Sequence, residues 1–312
     1  MILTVTANAS IDKRYLMESF EIGEVSRVKE CTMSAGGKGL NVSRVVRLTG
    51  ESVTATGFLG GHHGRFIQDK LKVEGIADDF IWCEGETRSC INIWDEKNKK
   101  QTELLEPGLT VTSDDCDALV RKCSSLAGGA DVIAISGSLP KGADSSLYKR
   151  LIEAGKSAGR KVLLDTSGKT LQECVDAKPY MIKPNIDEIQ QLTGKSINSA
   201  DYEEILNAAC DLNKKGIEIV VVSLGSEGSV LACKEGCYEA HVPVIEAVNT
   251  VGCGDSFIGG FSVGLSRDYS IEECFRLASA VSTASAMTDA TGFYRTEDME
   301  EIYKKIEILK VK

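Results

Sequence analysis

The segment from Asn249 to Phe261 combines a glycine turn with an acidic residue, a combination suited to phosphoryl transfer. Gly252 and Gly254 flank Cys253, and Asp255 follows at the start of an apolar run. Such a turn opens a helix whose first N–H groups lack partners and attract anions. A carboxylate beside them can accept the proton of an attacking hydroxyl. The pattern predicts phosphoryl transfer to an alcohol; the alternative is a tight turn in which Asp255 only caps the helix.

A second glycine-rich segment runs from Gly36 to Arg44. The glycine pair lets the backbone approach a ligand, and Lys38 adds a positive charge at the start of a predicted helix. The segment is not a Walker A loop, because the Lys-Ser/Thr pair and its spacing are missing. A plain loop leading into a surface helix is the alternative.

Three further positions are candidates for ligand contacts. Asp12 follows the predicted first strand, where open α/β sheets bind ligands, although a turn residue is the simpler interpretation. Arg88 begins a predicted strand and suits a phosphate, or is a solvated charge on an edge strand. Asn185 with Glu188 fits a helix capping box, and the functional alternative places both near a Mg²⁺–phosphate water network.

The composition is that of an ordinary globular protein of 312 residues, with 42% hydrophobic and 26% charged residues. The formal charge of −10 argues against nucleic acid or an anionic membrane as the main partner. We expect no signal peptide and no membrane span, since no apolar run approaches the necessary length. These features indicate a cytoplasmic protein.

The eleven cysteines are scattered, and none form a Cys-x-x-Cys pair. With only three histidines, a structural zinc site is not expected. We interpret the cysteines as buried free thiols in a reducing compartment.

From about residue 110 onward, short β-rich runs alternate with helical patterns. Strands are predicted at Asp131–Ser136, Lys161–Asp165, Tyr180–Lys183 and Glu218–Ser223. Helices are predicted at Ser145–Ala158, Asp187–Leu192, Tyr202–Lys215, Phe257–Leu265 and Ile271–Met287. This alternation predicts right-handed βαβ units and a mainly parallel sheet covered on both faces.

The N-terminal third has a different pattern, with partial period-2 alternation between turn signals. Strands are predicted at Lys13–Glu18, Glu24–Met33, Thr87–Asp95 and Gln101–Leu105. They suggest a small antiparallel sheet that enters the α/β body through two insertions, at about residues 12–34 and 86–106. A small sheet with one apolar face needs a partner, either the body's cleft or a second copy of itself.

Taken together, these segments resemble a ribokinase-type (PfkB-type) sugar kinase, in the branch of 1-phosphofructokinases and tagatose-6-phosphate kinases. The resemblance covers essentially the whole chain. It rests on Asn8–Asp12, Gly23-Glu24 with Arg27, Gly36–Asn41, Thr87-Arg88, Glu106–Gly108, Ser136–Pro140, Asp165, Lys183–Glu188, Ser223–Gly228 and Thr250–Asp255. It implies one kinase domain over residues 1–312, with a three-layer α/β/α body, a mainly parallel central sheet and a β lid.

The resemblance also implies a role for each position. Asp255 would be the general base, and the amides from Val251 to Gly254 (hence Gly252, Cys253 and Gly254) would hold the transferring phosphoryl group. Substrate contacts are implied for Asp12, Gly37, Lys38, Asn41, Arg27, Arg88 and Ser138. Nucleotide contacts are implied for Lys183, Asn185, Ser223, Gly225, Gly228 and Thr250. Mg²⁺ would be held through water by Asn185 and Glu188, and ATP would be the phosphoryl donor. A homodimer through the lid is implied, with Arg27 acting across it.

Lys38 favours a phosphorylated ketohexose, because a neutral sugar needs no cation in that loop. We predict fructose 1-phosphate as the substrate, converted to fructose 1,6-bisphosphate, with tagatose 6-phosphate or fructose 6-phosphate as the alternative. Cys90 and Cys253 depart from the residues usual in the branch, and we interpret both as packing residues. A catalytically silent sugar-phosphate sensor would lose the base or the glycine turn, and both are present. A dinucleotide-dependent oxidoreductase is disfavoured, because no Gly-x-Gly-x-x-Gly follows the first strand.

Overall fold

The computed structural model describes residues 1–198 and 201–312. Its strands are β1 (Ile2–Thr6), β2 (Ser10–Met17), β3 (Glu30–Gly36), β4 (Val53–Leu59), β5 (Ala77–Asp78), β6 (Ile81–Trp82), β7 (Arg88–Asp95), β8 (Lys100–Leu105), β9 (Val132–Ser136), β10 (Lys161–Asp165), β11 (Met181–Ile182), β12 (Ile219–Ser223), β13 (Ser229–Cys233), β14 (Gly236–His241) and β15 (Glu307–Lys310). Its helices are α1 (Lys38–Leu48), α2 (Gly61–Val73), α3 (Ser113–Ala127), α4 (Ser145–Ser157), α5 (Gly168–Cys174), α6 (Ile186–Thr193), α7 (Tyr202–Lys214), α8 (Cys253–Ser266), α9 (Ile271–Ala286) and α10 (Thr296–Lys305).

The large sheet has the strand order β15-β14-β13-β12-β11-β10-β9-β1-β4-β5, with β6 also paired to β4. The strands from β12 to β5 are parallel, and β13 to β15 form an antiparallel edge. Adjacent residues of β1 belong to opposite cores: Ile2 packs with α1, α8 and α9, whereas Leu3 packs with α3, α4 and α7. The predicted parallel sheet with helices on both faces is confirmed.

The small sheet has the order β3-β2-β7-β8. Its two outer pairs are antiparallel, whereas the central pair, β2 with β7, is parallel. The predicted strand at Glu24–Met33 begins only at Glu30, because Glu30 is the first residue in register with β2, opposite Leu16. The preceding residues form an exposed loop that contains Gly23 at φ 91°.

The cysteines are all unpaired, as expected for free thiols, although they are not all buried: Cys31 is exposed. Within residues 1–198 and 201–312, no helix is both long and apolar enough to cross a membrane.

Candidate active site

A cleft of about 1060 Å³ lies between the two sheets. Residues of β2, β3, β7 and β8 line one side of it. The other side is formed by the start of α1, the end of β10, the start of α8, and the segments around residues 248–252 and 289–293. Asp165 ends β10 on this side, so the cleft opens at the carboxyl edge of the parallel strands, where α/β sheets bind ligands.

The glycine turn before α8 presents free amide groups to the cleft. Gly252 caps the helix in a left-handed conformation (φ 83°, ψ 0°), and a Cβ there would overlap with Thr291. Val251 N donates to Asn249 Oδ1 at 3.0 Å and Cys253 N to the carbonyl of residue 250 at 3.4 Å.

Two of the four predicted amides are therefore already engaged. Among the residues that the structure describes, the amides of Gly252, Gly254 and Asp255 have no acceptor. Three N–H groups thus remain for an anion at the positive end of the helix dipole.

Asp255 is buried in the first turn of α8, with 5% of its surface exposed. Asn41 Nδ2, from α1, donates to Asp255 Oδ2 at 2.8 Å. Burial and, next, the negative charge of Asp165 raise the pKa of Asp255 to about 7, against the opposing effects of Lys38 and the Asn41 hydrogen bond. A carboxyl group that titrates near neutrality is suited to accept a proton during a reaction.

Lys38 and Lys183 enclose the carboxylate of Asp165. The distances are 3.5 Å from Lys38 Nζ to Oδ2 and 3.7 Å from Lys183 Nζ to Oδ1. Burial alone would raise the pKa of Asp165, but the two ammonium groups outweigh it and lower that pKa. The charge of Asp165 in turn raises the pKa of Lys38. Asp165 thus favours the cationic form of Lys38, and the ammonium group of Lys183 lies on the other side of the same carboxylate.

Lys183 also lies close to Gly254, one of the residues with a free amide. A Cβ on Gly254 would lie 3.1 Å from Lys183 Nζ. The negative charges of Asp255 and Glu188 contribute, after that of Asp165, to raising the pKa of Lys38. Lys38 therefore lies on the Asp255 side of the cleft.

Asp12 belongs to the small sheet, because β2 begins at Ser10. Asp12 lines the cleft from that side. Ser10 Oγ donates to Asp12 Oδ1 at 2.7 Å, and burial raises the pKa of Asp12. Gly36 lies against it so closely that a Cβ there would overlap with the carboxyl group. Arg88 lines the same end, where its Nη2 donates to the carbonyl of Asn8 at 3.1 Å.

About half of the predicted site residues line this cleft: Asp12, Gly37, Lys38, Asn41, Arg88, Lys183, Gly252, Gly254 and Asp255. The others lie outside its lining: Arg27, Ser138, Asn185, Glu188, Ser223, Gly225, Gly228, Thr250 and Cys253. Arg27 is exposed in the loop before β3, so this chain does not bring it to its own cleft.

Four of the residues predicted to contact nucleotide lie in two neighbouring segments, one of which follows Lys183: Asn185, Ser223, Gly225 and Gly228. Asn185 and Ser223 make a parallel β-bridge at the ends of β11 and β12. Gly225 and Gly228 have φ values of 63° and 94°, and a Cβ on Gly225 would meet no atom within 4 Å. The turn is therefore open to a ligand.

Asn185 and Glu188 form the capping box that the sequence suggested. Glu188 N donates to Asn185 Oδ1 at 2.8 Å, and Asn185 N donates to Glu188 Oε2 at 2.9 Å. Both residues thus cap the helix, and the side-chain oxygens of each keep lone pairs that can accept further hydrogen bonds.

Sequence reasoning assigned no role to two residues of the site. Asp165 ends β10, and the rule applied to Asp12, a carboxylate at the carboxyl edge of the sheet, would have found it. Arg44 lies three residues after Asn41 on the same helix face, and it donates to Asn41 Oδ1 at 3.2 Å.

Comparisons with known proteins agree with this geometry. A model of the pfkB family of carbohydrate kinases matches residues 3–296. A tagatose-6-phosphate kinase of Staphylococcus epidermidis is 39% identical over 313 residues, covering 100% of both chains. The crystal structure of phosphofructokinase-2 from Escherichia coli in complex with potassium has a TM-score of 0.92 and 27% identity, over 97% of this chain and 98% of that one. The crystal structure of a possible 1-phosphofructokinase from Thermotoga maritima has a TM-score of 0.85 and 26% identity, over 100% of each chain.

These matches confirm the predicted ribokinase-like architecture and the predicted enzyme class. The site has the parts that phosphoryl transfer requires: free amides at a helix start, two cations and a carboxyl group that titrates near neutrality. The chain therefore belongs to the pfkB family of carbohydrate kinases.

Proposed function

We propose that this kinase transfers the γ-phosphoryl group of ATP to a hydroxyl of a ketohexose phosphate. Asp255 accepts the proton of that hydroxyl, its oxygen attacks the γ-phosphorus, and ADP leaves. The observation that carries the proposal is a buried carboxyl group with a pKa of about 7 at the start of α8, beside amides without acceptors. Most of the catalysis in such a reaction is positioning and charge stabilisation.

Each part of the cleft has a role in this proposal. The amides of Gly252, Gly254 and Asp255 stabilise the charge on the transferring group. Asp12 and Asn41 hold sugar hydroxyl groups. Other proposed contacts to the sugar phosphate come from Gly37 and Ser138.

Arg88 and Lys38 are assigned to different phosphate groups. Arg88, at the small-sheet end of the cleft, holds the phosphate already on the sugar. We propose for Lys38, which pairs with Asp165 and is influenced by Asp255, a contact to the transferring phosphoryl group in place of the phosphate on the sugar.

ATP is assigned to the surface formed by Lys183, Ser223, Gly225, Gly228 and Thr250. Support comes from the open turn at Gly225, whose backbone can approach a ligand closely. Lys183 lines the cleft and lies two residues before Asn185, which bridges to Ser223, so it connects the cleft with this turn along the chain.

The donors near this surface suit Mg²⁺ bound mainly through phosphate and water. In residues 1–198 and 201–312, no group of three or more His, Cys, Asp or Glu side chains could hold a metal. A nucleotide-bound Mg²⁺ needs only one or two protein ligands and keeps several waters. Asn185 and Glu188, which keep free lone pairs, fit contacts through water. When bound, the ion would neutralise part of the negative charge on the phosphate groups.

Within this substrate class, two ketohexose phosphates compete. The sequence favoured fructose 1-phosphate, in keeping with the name of the Thermotoga maritima protein. The full-length similarity to a tagatose-6-phosphate kinase favours tagatose 6-phosphate. Both reactions use the same base and amides, so the difference lies in which end of the ketose Arg88 holds.

We also propose that residues 1–312 form one kinase domain whose small sheet is a lid (residues 12–34 and 86–106) and whose functional unit is a cytoplasmic homodimer. The lid carries exposed apolar side chains: Ile22 (95%), Val25 (94%), Leu104 (51%) and Leu105 (65%). Apolar side chains at a sheet edge are typical of surfaces that pair with another chain. Sedimentation of Leu105→Asp as a monomer, against a wild-type dimer, would support this assembly.

An ADP-release assay tests the function directly. Purified protein is given ATP, Mg²⁺ and, in separate reactions, fructose 1-phosphate, tagatose 6-phosphate, fructose 6-phosphate, fructose, tagatose or ribose. We expect ADP only with sugar phosphates, and none from Asp255→Asn. Free sugars as the better acceptors would contradict the proposal. Binding of sugar phosphates without ADP release would identify a silent sensor instead.

A further inference from the structure

The side-chain amide of Asn41 faces two groups at once. Its Nδ2 donates to Asp255 Oδ2 at 2.8 Å, and its Oδ1 accepts a hydrogen bond from Arg44 Nη1 at 3.2 Å. A guanidinium group carries only donors, so the amide atom that faces Arg44 is the oxygen. Arg44 therefore determines that the NH₂ group of the amide is turned toward Asp255.

The other donors of Arg44 are engaged with the protein as well. Nε donates to Glu74 Oε2 at 3.2 Å, Nη1 also donates to the carbonyl of Thr291 at 3.1 Å, and Nη2 donates to the carbonyl of Ala35 at 2.8 Å. The side chain of Arg44 is only 11% exposed. Although Arg44 lines the cleft, its guanidinium is directed at protein oxygens and not at a substrate phosphate.

We propose that Arg44 is a positioning residue for phosphoryl transfer: it fixes the Asn41 amide so that Nδ2 donates to the carboxylate of Asp255. The inference rests on the proposed function, because it takes Asp255 as the base. A hydrogen bond donated to a carboxylate favours its charged form. Arg44 therefore keeps a larger fraction of the base ionised near neutral pH without touching it.

Other charged groups act on Asp255 independently of Arg44. Asp165, at the end of β10, raises the pKa of Asp255, whereas Lys38 from α1 and Lys183 after β11 lower it. Lysine at position 44 keeps the positive charge but loses the planar fork that reaches several acceptors. Arg44→Lys thus separates the effect of the hydrogen bonds made by the planar guanidinium group from the effect of the positive charge.

The test is the pH dependence of kcat/KM for the sugar phosphate. Arg44→Lys is expected to move the acid limb upward by about one pH unit, with rates that approach those of the wild type at high pH. In an Asn41→Ala background the same substitution should not move the limb further, because the contact to Asp255 is already lost. An unmoved limb in Arg44→Lys, or an equal further movement in the Asn41→Ala background, overturns the proposal.

Two controls separate this contact from general damage to the fold. Glu74→Gln keeps an acceptor for Arg44 Nε and leaves Asn41 untouched, so the acid limb of its kcat/KM profile should match that of the wild type. If the acid limb of Glu74→Gln moves as far as that of Arg44→Lys, the assignment is overturned. Thermal unfolding checks that each variant is folded.

A second readout does not depend on activity. Infrared difference spectra follow the protonated carboxyl group of Asp255, whose band is assigned by its loss in Asp255→Asn. The infrared pKa of Asp255 is expected to rise in Arg44→Lys, and an unchanged value overturns the inference. If the wild-type protein phosphorylates no sugar phosphate, the proposed function fails, and the infrared titration still decides the contact with Arg44.

Discussion

The ionisation of Asp255 should control the pH dependence of the enzyme. With a pKa of about 7, the carboxylate is about nine-tenths ionised at pH 8 and one-tenth ionised at pH 6. We therefore expect kcat/KM for the sugar phosphate to fall about tenfold between pH 8 and pH 6, because this ratio reports the ionisation of the free enzyme. Replacing the neighbouring carboxylate in Asp165→Asn removes the charge that raises the pKa of Asp255, so the acid limb should move to lower pH.

The assay is ADP release at saturating ATP and low sugar phosphate, with the coupling enzymes in excess at every pH. The sugar phosphate itself titrates near pH 6, so a limb caused by the substrate would lie at the same pH in both proteins. Movement of the limb in Asp165→Asn therefore identifies an enzyme group. A wild-type acid limb below about pH 5, or an unmoved limb in Asp165→Asn, would refute the assignment of Asp255 as a base held near neutrality.

Three further substitutions test the parts of the site. Asp255→Asn should lower kcat by about 10²- to 10⁴-fold while sugar-phosphate affinity changes little; near-normal turnover would remove Asp255 as the base. The pKa of Asp255 is higher in the folded protein than in the unfolded chain, so the wild type loses stability as the pH rises toward 7. The thermal unfolding midpoint of Asp255→Asn should therefore exceed that of the wild type at pH 8. Near pH 4 the two midpoints should converge. Lys38→Met should lower kcat at least about tenfold, because the proposal places its ammonium group beside the transferring phosphoryl group. A change confined to the KM of the sugar phosphate would instead indicate that Lys38 contacts the phosphate on the sugar. Gly36→Ala places a methyl group against the Asp12 carboxyl, so initial rates should show a raised KM for the sugar phosphate and an unchanged KM for ATP.

The elements that sequence reasoning placed well are those with one dominant physical signal. The strands β9, β10 and β12 consist of apolar runs that are almost entirely buried, and their observed ends lie within one residue of the predicted ones. Helix α8 begins at Cys253, four residues before the predicted start, because the residues between Gly252 and the apolar run, including Gly254 and Asp255, are already helical. No prediction was made for β4, α2 or β5.

The site was predictable as a set of residue types but not as a set of contacts. The glycine turn, Asp255 and the Gly36–Asn41 segment were found because their local patterns carry the chemistry. The pairing of Lys38 with Asp165 and the hydrogen bond from Asn41 to Asp255 depend on how distant segments meet. No local pattern reports such a meeting, so the role now proposed for Lys38 could only be inferred from the fold.

The hydrogen bond between Asn41 and Asp255 joins residues 214 positions apart. During synthesis the ribosome releases the residues proposed to bind the sugar long before it makes the helix that bears the proposed base. A nascent chain that ends before α8 already contains every parallel strand of the large sheet, yet it has neither Asp255 nor the amides proposed to hold the phosphoryl group. In the proposed mechanism an unfinished polypeptide therefore consumes no ATP, since phosphoryl transfer first becomes possible when about the last fifth of the chain, from α8 onward, has folded onto the rest.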